Sequence, residues 1–182
     1  MIAFAGGYLM ANKRHAHEIS VLKQEHRHDL KQLQANQDHA RRIELDKKKR
    51  LLLDEATDKL NAFSDAEADF RALLTDLVVK RENGQTVSDD DKQNWQVRND
   101  AFREAFKDFS DIEGKLLLAE LKAINVKFRE YASDVEALYK EGTFDTSLSS
   151  EQLRNYREVI RTHRTELLIA LGKAYRMEDQ ID

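Results

Sequence analysis

The chain has 182 residues, with no Pro, no Cys and 6 Gly, and 35% of its residues are charged. The missing cysteines exclude a disulfide framework, a zinc thiolate site and thiol chemistry, and without prolines, and with so few glycines, the punctuation of β-rich folds is absent. The formal net charge of −4 conceals an asymmetry: residues 1–50 carry eleven Lys and Arg against six Asp and Glu, and residues 51–182 carry nineteen against twenty-eight. An acidic remainder argues against a protein that coats nucleic acid. The expected fold is all-α, a long N-terminal helix leading into an antiparallel bundle of three or four helices. Its expected parts are a short apolar segment that inserts in a membrane (1–12), a basic helical stalk resembling a coiled coil (13–50) and the bundle (51–182).

Residues 1–11 contain no charge, and Asn12-Lys13-Arg14-His15 follows at once, which is the form of the last half of a transmembrane helix. Eleven residues fall short of the roughly 20 needed to cross a bilayer. The basic residues come after the apolar run, so it is not a signal peptide. On this reading Ile2, Phe4, Tyr8 and Leu9 contact the membrane and Lys13 and Arg14 lie at its surface. The positive-inside rule then places residues 13–182 on the cytoplasmic or an equivalent side. The alternative is a start that packs into an oligomer or a neighbouring subunit.

Residues 13–82 contain neither Pro nor Gly and read as one helix. Apolar residues recur every eleven positions, as Ile19, Leu30, Leu52, Phe63 and Leu74 in one column and Leu22, Leu33, Ala66 and Leu77 in a second. Eleven residues make three helical turns, so each column stays on one face and predicts a packing seam. The ladder fails at Arg41, Glu44 and Glu55. Up to residue 50 it is thin, and Ile19, Leu22, Leu30 and Leu33 form the expected seam for a partner, either another subunit or a second copy of the chain. His17, His28 and His39 share a face, but a spacing of about 16 Å puts them beyond one metal ion. Arg41, Arg42, Lys47, Lys48, Lys49 and Arg50 make the most basic run. They are candidates to contact phosphates or a partner, against the plainer reading of a solvated helix face.

From residue 51 the pattern becomes strongly amphipathic. Leu53, Ala56, Leu60, Phe63, Phe70, Leu74 and Leu77 alternate at three and four residues, with Glu67 the one polar member. Asn83-Gly84 supplies a C-terminal cap. Ser88 then caps a helix whose first turn holds Asp89, Asp90 and Asp91. That helix is expected over about 89–141, with Trp95, Phe102, Phe106 and Phe109 packing against Phe63, Phe70 and Leu74 of an antiparallel neighbour. Its second half carries Leu117, Leu121, Ile124, Phe128, Tyr131, Val135 and Leu138. Ser110-x-x-Glu113 followed by Gly114 marks the place where it would break, making four helices instead of three. Glu141-Gly142 ends it. Ser149 caps the last helix with Gln152 at the capping-box position, and Leu148 and Leu153 form a hydrophobic staple. Its apolar face, Leu153, Tyr156, Ile160, Leu167, Ala170 and Ala174, is interrupted by His163 and widened by Leu168, Ile169 and Leu171.

No phosphate-binding glycine loop, nucleophile elbow, zinc-protease motif or dinucleotide fingerprint occurs. A di-iron bundle wants Glu-x-x-His on inward faces, and the single match, Glu25 to His28, lies outside the bundle. His163 as a base needs a carboxylate partner that local spacing does not provide. The sequence therefore reads as a non-enzymatic structural or interaction protein with no cofactor: a membrane-associated helical stalk whose bundle docks on partner subunits or self-associates. The alternative is a coiled-coil protein that binds nucleic acid or anionic phosphate through the basic helix 41–50.

Overall fold

The computed structural model describes residues 3–142 and 147–176, with side chains from Ser20 onward. The described residues form four helices and no strand: α1 (Ala3–Glu82), α2 (Asp89–Leu118), α3 (Lys122–Glu141) and α4 (Ser150–Arg176). Two compact units are distinguished, residues 1–48 and residues 49–182. The first is helical and has no buried residue among its described side chains. The second is an antiparallel four-helix bundle that holds every buried hydrophobic residue among the described side chains.

The bundle is built on the face of α1 that alternates at three and four residues. Leu53, Ala56, Leu60, Phe63, Phe70, Leu74 and Leu77 are buried, and so is the polar member Glu67. Its carboxylate accepts from Arg71 Nε at 2.7 Å, one helical turn away, which keeps the burial tolerable. Leu52 and Ala66 of the eleven-residue columns are only half-buried, so within the bundle the seven-residue period decides what is covered. α2 runs antiparallel to α1, as the cross-helix ion pairs show. Glu55 meets Lys115 at 2.5 Å, Asp69 meets Arg98 at 3.0 Å and Lys80 meets Asp91 at 2.7 Å, residue numbers falling on one helix as they rise on the other.

Aromatic rings fill the centre. Phe63 lies 4.5 Å from Phe109 and 5.6 Å from Phe102, Phe106 and Tyr131. Phe70 lies 4.9 Å from Phe102 and 5.2 Å from Trp95. The packing of the α2 aromatic stripe on α1 is therefore as expected from sequence. α3 adds Phe128, stacked on Phe109 at 3.9 Å, and Tyr139, stacked on Phe102 at 5.1 Å. Tyr131 shares a 3.2 Å hydrogen bond with Ser64, and burial pushes its hydroxyl up to about 12.

Helix ends follow their local chemistry. Gly84 takes φ +68 after α1, with Gly84 N–H donating to Arg81 O and Gln85 N–H to Lys80 O, the paired bonds of a Schellman cap. Ser149 and Gln152 form the expected capping box at α4, and Leu148 and Leu153 are buried. Glu82 accepts from both the backbone N–H and the hydroxyl of Ser150, which holds its carboxyl below the usual range and ties the α4 start to the α1 end. At α2, Ser88 and Asp91 form a reciprocal capping box. Asp91 also meets Lys80, and the Lys80 and Ser88 hydrogen bonds lower its carboxyl from 3.8 to about 2.

The Asp91 shift has a definite sign. A carboxyl depressed in the folded state stabilises it above the unfolded value and loses that contribution as pH falls through the folded value. Asp91→Asn should therefore lower the thermal midpoint by a constant amount at neutral pH, with the deficit closing as pH drops from 3.8 towards about 2. Parallel melts of parent and variant across that range read it. A deficit undiminished near the lower value rejects the assignment.

The reversal between α2 and α3 differs from expectation. The helix continues through Ser110 and Gly114 and turns at Ala119–Leu121. Ser110 donates to Phe106 O at 2.9 Å, one turn back in its own helix, and so caps nothing. Glu113 pairs with Arg129, and its carbonyl accepts from Asn125 Nδ2 at 2.9 Å. The turn places Glu120 at φ 61, a conformation usually left to Gly or Asn. The shift in phase buries Leu116 and leaves Leu117 49% exposed, so Leu117 is not part of the stripe. On α4, Leu171 is buried, but Leu168 and Ile169 are exposed and do not widen the apolar face.

Candidate functional site

Every residue from Ser20 to Leu45 is exposed. Leu22, Leu30 and Leu33, the described members of the expected partner seam, are 62%, 46% and 53% exposed. Helical spacing puts them within one face. Ile43 and Leu45 are also uncovered. The Ile19 side chain lies outside the described residues, as do those of Ile2, Phe4, Tyr8, Leu9, Lys13 and Arg14. Among the described residues no helix is long and apolar enough to cross a membrane.

In the basic run, Arg41, Arg42, Lys47, Lys48 and Arg50 are exposed and Lys49 is half-buried. Among the described residues only Lys48 is ion-paired, with Glu44 at 2.8 Å, and that bond lowers the Glu44 carboxyl. His28 and His39 are exposed, and the His17 side chain lies outside the described residues.

In the bundle unit, α3 and α4 converge on a half-buried polar cluster that sequence reasoning missed. His163, which interrupts the α4 apolar face, hydrogen-bonds through Nδ1 to the Asp134 carboxylate of α3. This is the partner that local spacing could not supply. Glu130 and Glu166 complete the group, their ligand atoms and that of His163 lying within 4.8 Å of one another. Lys127 Nζ stands between the two glutamates, 2.8 Å from Glu130 and 2.7 Å from Glu166. Those bonds hold the ammonium above the usual lysine range and the Glu166 carboxyl below its own.

The donor set of two carboxylates and one imidazole suits a divalent cation. The Lys127 ammonium already bridges both carboxylates, one positive charge shared between two negative ones, so an ion would have to displace it. The arrangement is a closed charge network joining α3 to α4. A sequence signal exists in retrospect: Lys127, Glu130 and Asp134 recur at three and four residues, His163 and Glu166 at three, and antiparallel helices bring such faces together.

Comparison with protein-family models, with curated proteins and with solved structures finds no match. The functional reading rests on this chain's own residues.

Proposed function

We propose that the protein is a non-enzymatic structural and interaction protein, in which the basic N-terminal helix recruits another subunit or a second copy of the chain and the four-helix bundle serves as the folded head. The observation that carries this reading is the uncovered face at Leu22, Leu30 and Leu33, in a stretch where no residue from Ser20 to Leu45 is buried. An isolated helix gains little from propensity alone, and most helical stability in proteins comes from packing an apolar face. Single exposed leucines are ordinary, but three within one face are what a partner helix would cover. Membrane attachment through Ile2, Phe4, Tyr8 and Leu9, with Lys13 and Arg14 at the headgroups, rests on the uncharged lead-in and its basic flank.

The mass of the full-length protein by light scattering, with and without detergent, tests both halves of the proposal. The expected result is an assembly larger than the 21.2 kDa chain that falls to one chain in the variant Leu22→Asp, Leu30→Asp, Leu33→Asp. A parent that is already one chain in both buffers and binds no vesicles removes self-association and anchoring together. A second reading, phosphate contact along Arg41 to Arg50, is favoured by cations left without ion pairs among the described residues. On that reading Lys47→Gln, Lys48→Gln, Lys49→Gln, Arg50→Gln flattens the salt dependence of binding to anionic vesicles.

A further inference from the structure

An independent feature lies in the bundle, on the side where α4 packs beside α1. Arg154, Arg157, Arg161 and Arg164 recur on α4 at three, four and three residues and therefore form one stripe. The stripe borders two adjoining hollows. The first, about 320 Å³, is lined by Arg71, Arg157, Arg161, Arg164 and Glu67, four guanidinium groups against one carboxylate. The second, about 270 Å³, is lined by Arg71, Arg154 and Arg157. In residues 51–182, where acidic side chains outnumber basic ones by nine, this concentration of positive charge runs against the background.

The arginines are not used up by the protein. Arg71 commits its Nε to Glu67. Among the described residues no carboxylate pairs with Arg154, Arg157, Arg161 or Arg164, although Glu158 stands four residues from Arg154 and three from Arg161. Arg157 and Arg161 are a like-charge pair four residues apart, an arrangement that destabilises a helix unless something neutralises it. Arg164 Nε is enclosed and donates to no protein acceptor, and a buried donor left unmade is destabilising. An oxyanion drawn between Arg161 and Arg164 would supply the missing acceptor after a small shift of the side chain.

We infer that this groove binds a small molecule carrying more than one phosphate group. The planar guanidinium fork matches phosphate oxygens in a two-point contact, which an ammonium does not. The larger hollow has the volume of a small-ligand site. The two hollows share Arg71 and Arg157, and Arg154 and Arg161 lie about 10 Å apart along the helix axis, so two anionic groups of one ligand can be held at once. The same chemistry is offered by a soluble polyphosphorylated compound and by a phosphorylated lipid headgroup.

Calorimetric titration of the full chain with tripolyphosphate at low salt tests the site. The expected result is saturable binding that weakens about tenfold or more in Arg157→Gln, Arg161→Gln, since a hydrogen bond to a charged group is lost at each position. Both residues are exposed, and a matched thermal midpoint confirms that this variant folds. The Lys47→Gln, Lys48→Gln, Lys49→Gln, Arg50→Gln variant should keep the parent affinity. Arginine side-chain NMR adds a readout by position, with Nε–H signals of Arg157, Arg161 and Arg164 moving on titration. Flotation with phosphatidylcholine vesicles, with and without a phosphorylated inositol lipid, separates the sources. Groove-dependent flotation assigns the headgroup, and tripolyphosphate binding without flotation assigns a soluble ligand. The inference is overturned if the parent shows no saturable binding, if both variants lose affinity equally, or if only the Lys47 to Arg50 variant does.

Discussion

Phe63→Ala is expected to lower the unfolding free energy by about 3–5 kcal/mol, the usual cost of removing a fully buried aromatic ring. Phe63 is 0% exposed, and its ring meets four others, three on α2 and one on α3. The loss combines transfer of the ring to water with the cavity left among Phe102, Phe106, Phe109 and Tyr131, whose large rings cannot collapse into it without leaving their own contacts. Against a typical total of roughly 5–15 kcal/mol, one such substitution removes a large fraction of the stability. The denaturant midpoint should fall with the slope unchanged. A loss under about 1 kcal/mol would mean that the cavity refills, so that the ring cluster is not the centre of the core.

Gly142→Ala should also be costly, by about 1–3 kcal/mol, for a reason of space. Gly142 follows α3 with φ −85, a value open to any residue, so backbone conformation does not demand glycine there. A Cβ at that point would lie 2.5 Å from Leu74 Cδ1 and 2.7 Å from Leu138 O, closer than such contacts are found. Leu74 is fully buried and Leu138 O already accepts the Gly142 N–H. Neither can yield without disturbing the core or the cap. Gly114→Ala, where an added Cβ meets nothing within 4 Å, is the matched control and should be neutral or stabilising by about 0.5–1 kcal/mol. A double-mutant cycle with Leu74→Ala locates the strain. The pair should cost less than the two single changes together, and strict additivity would place the clash elsewhere.

The closed network of Lys127, Glu130, Asp134, His163 and Glu166 and the arginine groove lie on different sides of α4, and their contrast is informative. In the first, Lys127 bridges Glu130 and Glu166, and His163 hydrogen-bonds to Asp134, which is what a structural joint between helices requires. In the second, four guanidinium groups face one carboxylate, and that carboxylate accepts from Arg71. The difference in pairing, more than the number of charges, separates a surface that holds the bundle together from one that offers itself to an anion.

Much of the bundle was legible in the sequence because its signals are local. The α1 core positions follow from spacing along one helix, and the caps at Gly84, Ser88 and Ser149 follow from residues within one turn of each other. The turn after α2 was not legible, because Glu120 adopts the left-handed conformation without the Gly or Asn that would announce it. Leu117 was misplaced for the same reason: a stripe projected across an unmarked turn loses its phase. Nor could spacing pair His163 with Asp134, or bring Arg71 beside Arg157, since each pair joins helices far apart in the chain. Sequence by itself determined the helical class, the core face of α1 and most of the helix ends, all set by contacts of three or four residues. Only the tertiary structure decided the reversal at Ala119–Leu121, the closed cluster between α3 and α4 and the arginine groove. Those depend on how helices align across the core, and packing of large side chains sets that register.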